Sequence, residues 1–240
     1  MPVRKYRVIG IKNENHNTKT WQITAVNGNN LEFRPGQFVL MYLLDEKGNP
    51  AGDVRPYSVS SSPLKHECLE FTIKMTPNFP AKLLDIGIGA EVGIAGPSGV
   101  FTLDESHADI VFVVGGVGVA GVSSAVRYVI DKKLPMKMTL FYSCSYAKDF
   151  IWLDEFDKMQ SENFTFVPVV TRENPEGWKG ETQRFSIDIL RKYVETPQKA
   201  HYYLCGSPGM VSGVEEILKR IGLDRTRIKM EKWTGIGEGG

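Results

Sequence analysis

A chain of 240 residues holds one large domain or two of ordinary size, and 42% apolar with 24% charged residues is the balance of a globular protein with a sizeable core. Its 29 basic and 28 acidic side chains leave a net charge of +1, which argues against general attraction to nucleic acid or to anionic membranes. The longest apolar run, residues 110–122, is broken by Gly115, Gly116, Gly118 and Gly121, so it is too short and glycine-rich for a transmembrane segment.

From the N-terminus the first hundred residues read as short strands separated by turns. Strand-like segments lie at residues 6–11, 21–26 and 37–44. The clearest follows at 69–75, where Leu69, Phe71, Ile73 and Met75 alternate with Glu70, Thr72 and Lys74, the period of a strand with one buried face. Turn signals separate these segments: Asn27-Gly28-Asn29-Asn30, Arg34-Pro35-Gly36 and Lys47-Gly48-Asn49-Pro50. Many short strands with few helices predict a small antiparallel β-barrel.

The polar, acidic stretch 102–108 reads as a hinge, after which the rhythm changes. Apolar runs at 110–114, 138–142, 164–170, 202–204 and 228–230 alternate with helical patterns at 119–130, 187–193 and 211–221. Strands apolar on both faces, alternating with helices, predict a parallel sheet covered on both sides. The expectation is therefore two domains, an antiparallel β-barrel over 1–105 followed by an α/β parallel-sheet nucleotide-binding domain over 106–240.

Cys68, Cys144 and Cys205 are odd in number and far apart, the usage of a reduced, cytoplasmic chain rather than a disulfide framework. The histidines are equally scattered, and no cluster has metal-ligand spacing. The N-terminal residues lead into strand-like sequence rather than a signal-peptide core.

The sharpest local feature joins the first apolar run of the second half to the helical pattern behind it. Gly116, Gly118 and Gly121 spell G-x-G-x-x-G after a predicted strand, preceded by Gly115. Glycines there let the backbone turn tightly and approach a pyrophosphate, whose charge meets the N–H groups of the helix start. An ordinary Rossmann site also has a carboxylate about 20 residues further on to hold the ribose. The corresponding stretch is Phe141-Tyr142-Ser143-Cys144-Ser145, with no carboxylate until Asp149, so the loop must hold its ligand by another arrangement.

In the barrel half, Arg55-Pro56-Tyr57-Ser58 combines a guanidinium suited to phosphate, a ring suited to a planar partner and a hydroxyl that can reach a ring nitrogen. Taken with Phe33-Arg34-Pro35-Gly36-Gln37-Phe38, Gly96-Pro97-Ser98-Gly99-Val100-Phe101, the glycine loop, Cys205-Gly206-Ser207-Pro208 and Glu231-Lys232-Trp233, it resembles the ferredoxin–NADP reductase superfamily over nearly the whole chain.

That resemblance implies a flavin-dependent NAD(P)H oxidoreductase passing electrons between a nicotinamide dinucleotide and a redox partner such as ferredoxin, flavodoxin or an oxygenase component. It implies FAD, with FMN as the alternative, and NADP or NAD as substrate. By the same resemblance Arg55, Pro56, Tyr57 and Ser58 hold the flavin, and Gly115, Gly116, Gly118 and Gly206 meet the dinucleotide. Cys205 lies beside the nicotinamide, Glu231 is a carboxylate near the reacting rings, and Trp233 is the aromatic over the flavin. Ser58, Cys205 and Glu231 are then the catalytic candidates. Val170-Thr171-Arg172-Glu173 resembles the segment that holds a 2′-phosphate, which assigns Thr171 and Arg172 to NADP.

Three departures accompany the resemblance. Gly121 stands where members usually carry proline. Pro77-Asn78-Phe79-Pro80 stands where they carry G-x-x-S, leaving the Ala81 and Lys82 N–H groups to meet the flavin diphosphate. The tail Thr234-Gly235-Ile236-Gly237-Glu238-Gly239 is similar to an iron–sulfur C-G-I-G-x-C run, but threonine and glycine replace both cysteines, so it has no thiolates to hold a cluster. An NAD(P)H:flavin reductase, or a non-catalytic docking subunit that retains the fold, are the alternative readings.

Overall fold

The computed structural model describes residues 1–233, so the reading of the tail lies outside the described residues. The chain forms two compact units, one of Met1–Leu103 with Ser123–Asp131, the other of Asp104–Val122 with the chain from Lys132 onward.

The first unit is a six-stranded antiparallel sheet built from β1 (Arg4–Asn13), β2 (Thr18–Ala25), β3 (Phe38–Leu44), β4 (Pro50–Ser58), β5 (Leu69–Lys74) and β6 (Glu91–Ser98), in the order β4-β3-β6-β1-β2-β5. Its two outermost strands are joined just beyond β4, where the Ser60 N–H donates to Glu70 O of β5 at 2.8 Å. The period-2 patterns bury one face of each strand: Tyr6 and Val8 of β1, Trp21 and Ile23 of β2, and Phe71 and Ile73 of β5 are all essentially inaccessible. Trp21 lies directly opposite Phe71 in the β2–β5 ladder. This antiparallel architecture is the one the strand pattern predicts.

Two strands of this sheet carry no clear sequence signal. β4 contains Pro50, Gly52 and Pro56, residues that weaken a central strand but are tolerated at an edge, and β4 is an edge strand. β6 is central, yet it contains Gly93, where an added Cβ would come within 2.7 Å of the Val3 side chain and 3.1 Å of Leu44. Helix α1 (Phe79–Ile86) and the segment Ser123–Asp131 complete the unit. Ser124 Oγ accepts from the Gly36 N–H at 2.9 Å, and Ser123 Oγ donates to Ser60 O at 3.0 Å.

The second unit is a five-stranded, wholly parallel sheet of β7 (Asp109–Gly115), β8 (Lys137–Cys144), β9 (Phe164–Val170), β10 (His201–Gly206) and β11 (Ile228–Lys232), ordered β11-β10-β7-β8-β9. Residues Ile110 to Val114 of β7 are buried without alternation, as expected of a strand covered on both faces. Helices α2 (Ala120–Lys132), α3 (Leu153–Lys158), α4 (Ile187–Tyr193) and α5 (Pro208–Arg220) connect the strands. Six-residue α3 is too short to leave a periodic pattern, and the sequence does not single it out. The strand order reverses between β7 and β10, and in such sheets ligands bind at this point, beyond the carboxyl ends of the strands. Among the described residues no helix is long and apolar enough to cross a membrane.

Candidate functional site

In the first unit, Arg55, Pro56, Tyr57 and Ser58 form the last four residues of β4, paired with Met41, Leu40, Val39 and Phe38 of β3. Arg55 Nη1 donates to Val54 O at 2.9 Å, and Nη2 lies 3.6 Å from Asp53 Oδ2. These contacts leave most of the five guanidinium N–H donors unused, so the side chain can still fork onto a phosphate. Tyr57 is 8% exposed and belongs to the barrel core, its ring centroid 5.9 Å from that of Phe79. Burial pushes its hydroxyl well above the usual tyrosine range, so it is neutral at any working pH. Ser58, adjacent to it, is buried.

The expectation that the Ala81 and Lys82 N–H groups are free to meet an anion is corrected by the structure. Both donate to the Asn78 carbonyl, at 3.1 and 3.3 Å. The reason is that α1 begins at Phe79, one residue earlier than a proline-led start would place it, so Lys82 makes the first i→i−4 bond and Pro80 sits in the second position. Asn78 contributes no side-chain cap, and what remains at Lys82 is an exposed ammonium group.

In the second unit the predicted residues gather at the carboxyl ends of β7, β10 and β11. Gly115 ends β7, and one 3₁₀ turn, Gly116–Val119, leads into α2. Gly116 has φ +53°, a region that favours glycine. Gly118 is packed against β10 so closely that an added Cβ would lie 2.8 Å from Cys205 O and 3.1 Å from Gly206 Cα. Cys205 is aligned with Val114 on one side and Glu231 on the other. Trp233 follows the end of β11; its backbone N–H donates to Gly206 O at 2.9 Å and its indole Nε1–H to Cys205 Sγ at 3.0 Å. Cys205, Gly206, Glu231 and Trp233 are thus one cluster beside the glycine loop.

The electrostatics of the cluster follow from burial. Removal from water pushes the fully buried Cys205 thiol far up, and the Glu231 carboxylate adds to the effect. Desolvation also raises Glu231 above the ordinary carboxylate range. Glu231 Oε2 is buried without a hydrogen-bond partner. A buried carboxylate oxygen left unpaired is costly and marks a position where a ligand group can complete the site. The residues therefore fit a nicotinamide nucleotide: a glycine loop packed onto β10 at Gly118, and an unmatched acceptor on the next strand, β11.

Thr171 follows β9, where its N–H and hydroxyl both donate to Cys144 O, at 3.0 and 3.3 Å. Arg172 is exposed, and its guanidinium makes no hydrogen bond or ion pair among the described residues. The neighbouring Glu173 does not pair with it but accepts from the Ala147 N–H. No group of three His, Cys, Asp or Glu side chains among the described residues could hold a metal.

Sequence reasoning missed Met210, in the first turn of α5. Its Sδ lies where side chains on Gly115 and Gly206 would project, 2.5 and 2.9 Å from the two hypothetical Cβ atoms. Its spacing of four residues from Gly206, across a strand-to-helix turn, is the only sequence signal that points to it.

Comparison with known proteins agrees with this layout. Residues 5–103 match the oxidoreductase FAD-binding domain, and residues 112–216 match the oxidoreductase NAD-binding domain. The chain is 28% identical over 200 residues to a component of the Na(+)-translocating NADH-quinone reductase of Pasteurella multocida, covering 76% of this chain and 49% of that protein. It is 28% identical over 219 residues to the xylene/toluene monooxygenase electron transfer component of Pseudomonas putida, covering 88% of this chain and 61% of the relative. The chain thus spans about half the length of the first relative and less than two thirds of the second. Among solved structures, the FAD/NAD binding domain of nitric oxide dioxygenase from Vibrio cholerae superposes with a TM-score of 0.83 at 18% identity, over 96% of this chain and 98% of that one. With the FAD-binding model on the antiparallel half and the NAD-binding model on the parallel half, the chain belongs to the ferredoxin–NADP reductase superfamily of flavin- and nicotinamide-dependent oxidoreductases.

Proposed function

We propose that this protein is an NAD(P)H-dependent flavoprotein reductase that passes electrons to a redox protein, with a flavin domain over residues 1–105 and a nucleotide domain over 106–240. The observation that carries the reading is the cluster of Cys205, Glu231 and Trp233 against the glycine loop, with a buried carboxylate oxygen unmatched. A bound flavin supplies the exchange between two-electron nicotinamide chemistry and one-electron carriers. The task of the chain is to hold and shield the reacting groups. Arg55 neutralises a cofactor phosphate, while Tyr57 and Ser58 present a rigid, dry surface at the end of β4. Gly115, Gly116, Gly118 and Gly206 offer backbone to the pyrophosphate. The neutral Cys205 thiol allows close approach without adding charge, and Glu231 orients the nicotinamide end and holds a proton there. The relatives named for a quinone reductase and a monooxygenase electron transfer component support a partner of the oxygenase or electron-carrier class. The three reduced cysteines support a cytoplasmic setting.

The purified protein should be yellow and oxidise NAD(P)H. Arg55→Ala should lose flavin on gel filtration about tenfold more readily than wild type, the effect of removing one charge-assisted contact. A colourless protein that binds neither FAD nor FMN on titration overturns the proposal, and a yellow one that oxidises neither nucleotide returns the chain to a docking role. One observation favours the second reading, a reductase that releases reduced flavin: the Ala81 and Lys82 amides are already bonded to Asn78, which weakens the anchor for a diphosphate. Flavin retained through gel filtration argues against it.

Thr171 and the unpaired Arg172 support NADPH as the preferred donor, since a hydroxyl and a guanidinium suit a dianionic 2′-phosphate. Arg172→Ala should lower kcat/KM for NADPH about tenfold or more and leave NADH within twofold. Equal losses for both nucleotides would refute the assignment.

A further inference from the structure

The chain that leaves β4 is buried without a break, Ser58, Val59, Ser60, Ser61 and Ser62 each being 4% exposed or less. All but one of these residues are serines, so the polar groups of the stretch must find partners within the protein. Ser58 is the last residue of β4 in the ladder, opposite Phe38, and the Val59 N–H donates to Gln37 O at 3.1 Å. Ser60 then turns to β5: its N–H and hydroxyl both donate to Glu70 O, at 2.8 and 3.0 Å, while Ser61 Oγ accepts the Glu70 N–H at 3.2 Å. The Ser60 carbonyl is held from α2, where the Ser123 hydroxyl donates to it at 3.0 Å and Arg127 Nη1 at 2.5 Å. Ser123 and Arg127 are four residues apart, so they lie one above the other on a single helix face, and together they fill both lone pairs of one oxygen.

We propose that Arg127, assisted by Ser123, is a positioning residue of the flavin site, fixing the end of β4 through the Ser60 carbonyl so that Tyr57 and Ser58 stay in place. The proposal rests on the reading of Arg55–Ser58 as the flavin-holding segment, and goes beyond it by assigning residues that act through Ser60 rather than on the cofactor. Through Ser58, β4 is an edge strand paired on one side alone, so no second ladder resists a rotation of its last peptides. A bond from a charged donor is stronger than one between neutral groups, which makes Arg127 the main hold and Ser123 the lesser one. Without either donor the carbonyl is a buried acceptor left unsatisfied. The peptide after Ser60 must then rotate to find a partner, and it carries Val59 and Ser58 with it.

The test uses the flavin-loaded protein with flavin in excess, reduced by NADPH and by NADH in stopped flow. Visible circular dichroism of the flavin, nucleotide KM and Tm are measured alongside. Arg127→Met keeps an apolar stem but no donor; it should slow flavin reduction about tenfold, alter the dichroism and leave nucleotide KM within twofold. Arg127→Lys, which retains a charged donor, should stay within about threefold of wild type, as should Ser123→Ala, in which the arginine remains. The double variant Ser123→Ala/Arg127→Met should be slowed by more than the product of the two single effects, because only there does the carbonyl lose every donor. A methionine variant with lowered Tm but wild-type reduction rate and dichroism makes Arg127 a brace of the fold and overturns the proposal. A double variant that shows only the product also overturns it, since the two side chains would then act at separate points. If Arg127→Met does not fold, Arg127→Gln takes its place; its neutral donor should cost about threefold in rate, and a wild-type rate and dichroism there overturn the proposal equally. Wild-type protein that binds neither FAD nor FMN overturns the functional reading itself, and this inference with it.

Discussion

Gly118→Ala should lower kcat/KM for NAD(P)H by about 100-fold while leaving the flavin spectrum and its retention unchanged. A single added methyl group would sit 2.8 Å from Cys205 O and 3.0 Å from Cys205 C, both backbone atoms of a central strand. A flexible side chain could swing aside, but β10 is held on both sides, by β7 and β11, and cannot retreat. The loop must move instead, carrying its N–H groups away from the pyrophosphate. Steady-state kinetics with nucleotide titration check this, and a variant whose KM and kcat both stay within twofold of wild type would mean that the loop does not contact the nucleotide.

Glu231→Gln should slow turnover by about 100-fold and at the same time make the protein more stable at neutral pH. The two effects have one origin. Burial disfavours the charged carboxylate, so the folded-state pKa lies above the unfolded one, near 4.5. Such a group favours the folded state while protonated, and that contribution is lost as pH rises through the folded pKa. Wild type therefore carries a destabilising buried charge above that pKa, which the neutral amide lacks. The gain in Tm of the Gln variant should be largest near pH 8 and vanish at or below about pH 4.5. Nucleotide KM should change little, because the role assigned to Glu231 lies at the reacting end. An unchanged turnover number would return Glu231 to an ordinary half-buried acid, and a Tm gain equal at pH 4 and pH 8 would remove the electrostatic argument.

Features whose cause is local can be read directly from the residues. The glycine loop is legible because a tight turn at Gly116 and close packing at Gly118 leave no alternative residue type, and β9 and α4 because their apolar patterns match the period of the element. β4 and β6 are not, since glycine and proline lower their intrinsic preference, and only an edge position or a close neighbour makes those residues acceptable. The start of α1 departs from expectation for a related reason. Proline is equally at home in either of the first two helical positions, and the choice between them decides which amides are free.

The order of motifs along the chain was enough to indicate the class of protein, through their joint resemblance to one superfamily. Tertiary structure decided how those residues meet. Parallel pairing brings Cys205 of β10 next to Glu231 of β11 on one side and Val114 of β7 on the other. Neither meeting leaves a trace in sequence spacing, because strand register is set by the packing of the whole sheet rather than by any single segment within it.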